Sequence, residues 1–87
     1  MQKINMYTYY DKKSCRYDTP FFCISDVQAK RHFMIQMDNK GTVLSNFKDE
    51  FVLLGIGSYD VVTGKIEVFE KEVLVMSGNQ YSNKKED

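Results

Sequence analysis

The feature that most limits what this chain can become is the run Phe51-Val52-Leu53-Leu54-Gly55-Ile56-Gly57-Ser58-Tyr59, nine residues without a charge. Apolar side chains at consecutive positions suit a strand covered on both faces, so the run is predicted to be the central strand of a sheet. It falls far short of the ~20 apolar residues of a membrane-spanning helix. Gly55 and Gly57 are expected on one face of it, where glycine permits a bulge or the close approach of another backbone, here that of a covering helix. A central strand needs partners on both edges and a layer above it. In a chain of 87 residues all of these have to come from one small domain.

The partners are legible as alternating segments. Ile4 to Tyr10 is rich in β-formers, with Ile4, Met6, Thr8 and Tyr10 on one face and Asn5, Tyr7 and Tyr9 on the other. The polar stretch Asp11-Lys12-Lys13-Ser14 reads as a turn, and Phe21 to Ile24 as a short strand opened by Pro20. After the central strand, Asp60 to Gly64 is a hairpin connection with Gly64 in the left-handed position, and Lys65 to Phe69 pairs back as an edge strand. Glu70 to Met76 either extends that strand or docks on a partner. The cover is a helix opened by the capping box Ser25-Asp26-Val27-Gln28, in which Gln28 is expected to reach the Ser25 amide. It runs to about Asn39 and is stopped by Gly41. Ala29, Phe33 and Met37 form its apolar stripe, with Val27 and Met34 beside it. Val43, Leu44 and Phe47 tuck under the connector that follows.

The predicted architecture is therefore α+β: residues 1–76 form a single domain of about four mostly antiparallel strands with one helix on one face, in the order β-β-α-β-β. Residues 77–87 are polar and read as a disordered tail. A sheet covered by one helix has a second face in need of cover, and the surplus of apolar strand residues predicts a homodimer. The N-terminus alternates where a signal peptide has a continuous apolar core, so the expectation is a soluble intracellular protein with no membrane contact.

No P-loop, Rossmann fingerprint, nucleophile elbow or paired-histidine metal motif is present, and we expect no enzyme, no cofactor and no metal site. Gly55-Ile56-Gly57 is followed by no helix and cannot cradle a phosphate. Cys15 and Cys23 are read as reduced thiols, His32 as an exposed helix residue, and Glu67, Glu70 and Glu72 as a solvated strand edge. Function then rests on binding. Net charge is zero, but residues 1–41 carry seven basic and four acidic groups and residues 42–87 five basic and eight acidic. The basic half holds Tyr7, Tyr9, Tyr10, Tyr17, Phe21 and Phe22 among Lys3, Lys12, Lys13 and Arg16. Rings that stack on bases beside cations that track phosphates are how single-stranded nucleic acid is held. The competing reading is burial, since strands are built of aromatics.

The ordered set Tyr9-Tyr10-Asp11-Lys12-Lys13, Pro20-Phe21-Phe22, Ser25-Asp26 with Ala29 and Phe33, Phe47-Lys48-Asp49-Glu50-Phe51, Leu54 to Asp60 and Thr63-Gly64-Lys65-Ile66 resembles the small non-structural protein of gokushovirus-type microviruses, the icosahedral single-stranded DNA bacteriophages. The resemblance covers about residues 4–70. It implies a DNA-binding or replication-associated factor of the Microviridae, in the cytoplasm of the infected bacterium and not part of the virion, with no catalytic residues. The predicted contacts to single-stranded DNA are Tyr7, Tyr9, Lys12, Lys13 and Arg16, with Lys30 and Arg31 as further cations. The zero net charge departs from a dedicated DNA coat and keeps open an alternative, an adaptor binding a host or phage protein.

Overall fold

The computed structural model describes residues 3–85, and their side chains through Tyr81. Its strands are β1 (Lys3–Asp11), β2 (Arg16–Tyr17), β3 (Phe21–Cys23), β4 (Phe51–Asp60) and β5 (Ile66–Ser77). Its helices are α1 (Asp26–Asp38), α2 (Val43–Asn46) and α3 (Gly78–Lys85), with a 3-10 turn at Lys48–Glu50. All pairings are antiparallel, in the order β2-β1-β4-β5, and β3 pairs β1 as well. β4 is central, as its uncharged sequence dictates. It pairs β1 from Lys3↔Asp60 to Asp11↔Phe51 and β5 on its other edge. The result is a small α+β domain with an antiparallel sheet of four to five strands, the class read from the sequence.

α1 lies on one face of this sheet. Ala29, Phe33 and Met37, spaced by four, are fully buried against Tyr7, Tyr9, Leu53 and Met76. Removing the Phe33 ring from so closed a site typically costs about 3–5 kcal/mol. Val27, expected beside the stripe, is exposed at the first turn. The cap is anchored differently from the expectation: Ser25 Oγ accepts the Gln28 amide at 3.2 Å, but Gln28 Oε1 takes the Ile24 amide at 2.9 Å. In the connector only Leu44 is buried, while Val43 and Phe47 face outward. The helix stop and the hairpin turn are as read, with Gly41 at φ +94° and Gly64 at φ +76°.

Two corrections concern glycine. Met6 pairs Gly57 and Tyr7 pairs Gly55, so Ile56 bulges out and the two glycines fall on opposite faces. The backbone that approaches is β5: a Cβ on Gly57 would collide with the Glu67 carbonyl, whereas one on Gly55 would meet nothing nearer than 3.7 Å. On the β5 side, Gly57 pairs Val68 and Gly55 pairs Val73, which leaves Phe69 to Glu72 arched opposite Ile56. Residues 70–76 are thus a continuation of the edge strand.

The predicted disordered tail is also corrected, apart from residues 86 and 87, which lie outside the described residues. Ser77-Gly78-Asn79-Gln80 forms the reciprocal capping box that Ser25 and Gln28 do not: Ser77 Oγ accepts the Gln80 amide at 3.3 Å and Gln80 Oε1 accepts the Ser77 amide at 3.0 Å. The helix it starts packs Tyr81 on the core, and the Tyr81 hydroxyl donates to Asp38 Oδ2 at 2.7 Å. The domain therefore extends past residue 76.

The β4–β5 approach makes a contrast. Gly57→Ala is expected to lose about 1–3 kcal/mol of stability from overpacking, while Gly55→Ala stays within about 1 kcal/mol of wild type. Urea unfolding of the two variants measures this, and equal midpoints would contradict the bulged register.

Candidate nucleic-acid interface

The two phases of β1 have separate tasks. Tyr7 and Tyr9, 1% and 5% exposed, lie on the covered face, where Tyr9 packs on Phe33 with ring centroids 5.1 Å apart. A buried phenol needs a partner for its hydroxyl, and both find one on α1. Tyr7 OH donates to Asp26 Oδ1 at 2.6 Å and accepts from Asn5 Nδ2 at 3.1 Å. Tyr9 OH bonds His32 Nδ1, and the His32 ring stacks on Phe21 at 4.6 Å. Burial, and then the Asp26 carboxylate, push the Tyr7 phenol up to about 12; burial raises Tyr9 further. Tyr7 and Tyr9 therefore offer no ring face to a base, and their place among the predicted DNA contacts is corrected by their burial. His32 is exposed, as read, but it also ties the helix to the sheet.

Tyr10 points the other way. It pairs Tyr17 across the β1–β2 ladder, the ring centroids are 4.6 Å apart, and Tyr17 is 54% exposed. The loop between these strands carries Lys12 and Lys13, and Arg16 opens β2; all three are exposed. Asp11 shapes the loop: its Oδ1 accepts the Lys13 amide at 2.9 Å and its Oδ2 the Ser14 hydroxyl at 3.0 Å. Cys15 closes it at φ 59°, its amide bonded to the Asp11 carbonyl at 2.8 Å. Lys12, Lys13 and Arg16 thus share one hairpin with an accessible aromatic pair. Lys30 and Arg31 are exposed on α1, the layer on the opposite face, and do not join them.

Next to the ring pair, the open face forms a trough of about 650 Å³. Thr8 and Ile56 make its floor, the Tyr17–Pro20 segment one wall, and the arched part of β5 the other. Thr8 Oγ1 fixes the first wall by donating to the Asp18 carbonyl at 2.8 Å. The second wall reaches across through Glu72, whose hydrogen bond to Tyr17 raises the phenol's pKa. A hydrogen bond to Cys15 raises that of Tyr10. Both phenols stay neutral at ordinary pH. Asp18, Glu70 and Glu72 make the trough acidic against a single Lys71, so a polyanion is favoured at the hairpin and opposed along the trough. Among the described residues no group of three metal-ligating side chains occurs, and no helix is long and apolar enough to cross a membrane.

The sequence reading put neither Tyr10 nor Tyr17 among the candidate contacts, because both phases of β1 carry aromatics and the short β2 ladder that pairs these two rings gave no separate signal.

The buried phenols predict an alkaline limit. An unfolded tyrosine ionises near 10, while folded Tyr7 keeps its proton to about 12. Between these values the unfolded state binds fewer protons, so stability is full below pH 10 and falls as pH rises toward 12. Urea midpoints measured from pH 9 to pH 12 should drop over this window, and the drop should be shallower in Tyr7→Phe.

No match is found among curated proteins or among solved structures. The Phage ORF5 protein family matches residues 4–81, nearly the whole of the domain. The chain belongs to that family, and is a bacteriophage protein.

Proposed function

We propose that this phage protein is a non-enzymatic accessory of genome replication that binds single-stranded DNA at the β1–β2 hairpin. The observation that carries the reading is the accessible Tyr10–Tyr17 ring pair beside Lys12, Lys13 and Arg16. Rings of this kind stack on unpaired bases at about 1–3 kcal/mol each, while the three cations neutralise phosphates. The acidic trough limits the contact to a few nucleotides, in keeping with the zero net charge. Residence in the bacterial cytoplasm outside the virion, and kinship with the non-structural proteins of gokushovirus-type microviruses, belong to the same reading.

Fluorescence anisotropy with a labelled oligonucleotide tests it. Three phosphate contacts predict a log–log salt slope of roughly −2, at about −0.7 per contact. Tyr17→Ala should weaken binding by about 1–3 kcal/mol, the triple change Lys12→Ala, Lys13→Ala, Arg16→Ala should abolish the salt dependence, and Lys30→Ala with Arg31→Ala should change little. Absence of binding at low salt with micromolar protein would overturn the reading in favour of an adaptor that meets other proteins through the trough.

A further inference from the structure

The trough and the hairpin beside it meet at one side chain. Tyr17 lines the trough and also belongs to the accessible ring pair with Tyr10. Its hydroxyl is held by Glu72, which reaches over from the arched part of β5. A flat ring stacked on Tyr17 from the trough side therefore brings its edge to the Glu72 carboxylate, because a nucleobase and a phenol are similar in size. The trough, about 650 Å³, has room for such a ring above Thr8 and Ile56. Glu72 also has acceptor capacity to spare. An ionised carboxylate offers about four lone-pair sites, Tyr17 occupies one, and among the described residues Glu72 forms no salt bridge.

Resting on the reading that single-stranded DNA meets the β1–β2 hairpin, we infer that the site prefers guanine, with one base stacked on Tyr17 in the trough and its amino edge on the Glu72 carboxylate. Guanine presents N1–H and its 2-amino group side by side, and two parallel donors match the two oxygens of a carboxylate. Cytosine and adenine present a single amino group, which a carboxylate also accepts. Thymine presents one N–H between two carbonyls, and those carbonyls meet the carboxylate acceptor to acceptor. The expected order is guanine, then cytosine and adenine, then thymine. Asp18 and Glu70 on the walls are acceptors too and favour the same order. Lys71 does not reverse it, since an ammonium serves the guanine carbonyl as well as those of thymine. The acidity that opposes phosphate does not oppose a neutral base. The phosphates stay with Lys12, Lys13 and Arg16, where they position the strand while the base edge carries the sequence information.

Anisotropy at low salt, with four labelled oligothymidines, tests the inference. One is unmodified, and the others carry a single central guanine, cytosine or adenine. The guanine strand should bind the wild-type chain about tenfold more tightly than the unmodified one, the scale on which a well-matched side chain discriminates bases. Hypoxanthine in place of that guanine removes the 2-amino group alone and should lower affinity to the level of cytosine and adenine. Glu72→Gln should erase the preference for guanine over thymine. Should that variant fail to fold, the hypoxanthine strand decides on the wild-type chain. Equal affinity for all strands, or a guanine preference that survives either hypoxanthine or a folded Glu72→Gln variant, overturns the inference and leaves DNA binding at the hairpin standing. Absence of binding to every strand overturns both.

Discussion

A strand paired on both edges and covered on one face must give its alternate side chains opposite tasks, and β1 does this with tyrosine in both phases. Tyr7 and Tyr9 face α1, bury their rings with Phe33 and pass their hydroxyls to Asp26 and His32. Tyr10 faces the other way and meets Tyr17. The spacing works because two strand residues span about 6.8 Å and six helical residues about 9 Å, a difference that long phenols can absorb. With the helix tied at those two points, the hairpin cations and the trough have fixed places on the opposite face.

The main elements β1, β3, α1, β4 and β5 were legible because each carries a local signal strong in itself, whereas the two-residue β2 and the one-turn α2 were not. The uncharged run made β4 central, Ser25 and Gln28 marked the start of α1, and Gly41 and Gly64 took the left-handed positions expected of them. The phase of β1 was not legible. Ile4, Met6, Thr8 and Tyr10 are about as good a strand face as Asn5, Tyr7 and Tyr9, and alternation cannot say which face a helix will choose. The Ile56 bulge was hidden for a related reason, since Gly55 and Gly57 share a face only if the strand is regular. The capping box at Ser77 and Gln80 was present in the sequence but masked by a polar composition that looked like a tail.

Charge is sorted by face and end in a way that composition conceals. Equal numbers of acidic and basic groups leave no net attraction for a polyanion, yet Lys12, Lys13 and Arg16 gather on a loop held by Asp11, while Asp18, Glu70 and Glu72 line the trough beside it. Tyr17 sits on the boundary, its ring against Tyr10 and its hydroxyl on Glu72. That arrangement sets the exposed cationic hairpin beside an acidic trough.

The account stands on which tyrosines of β1 and β2 are accessible. Mild nitration of the folded protein with tetranitromethane, followed by peptide mass spectrometry, measures it directly. The account predicts that Tyr17 and Tyr10 are modified while Tyr7 and Tyr9 are spared until urea unfolds the chain. Nitration of Tyr7 or Tyr9 in the folded protein at the rate of Tyr17 would contradict it.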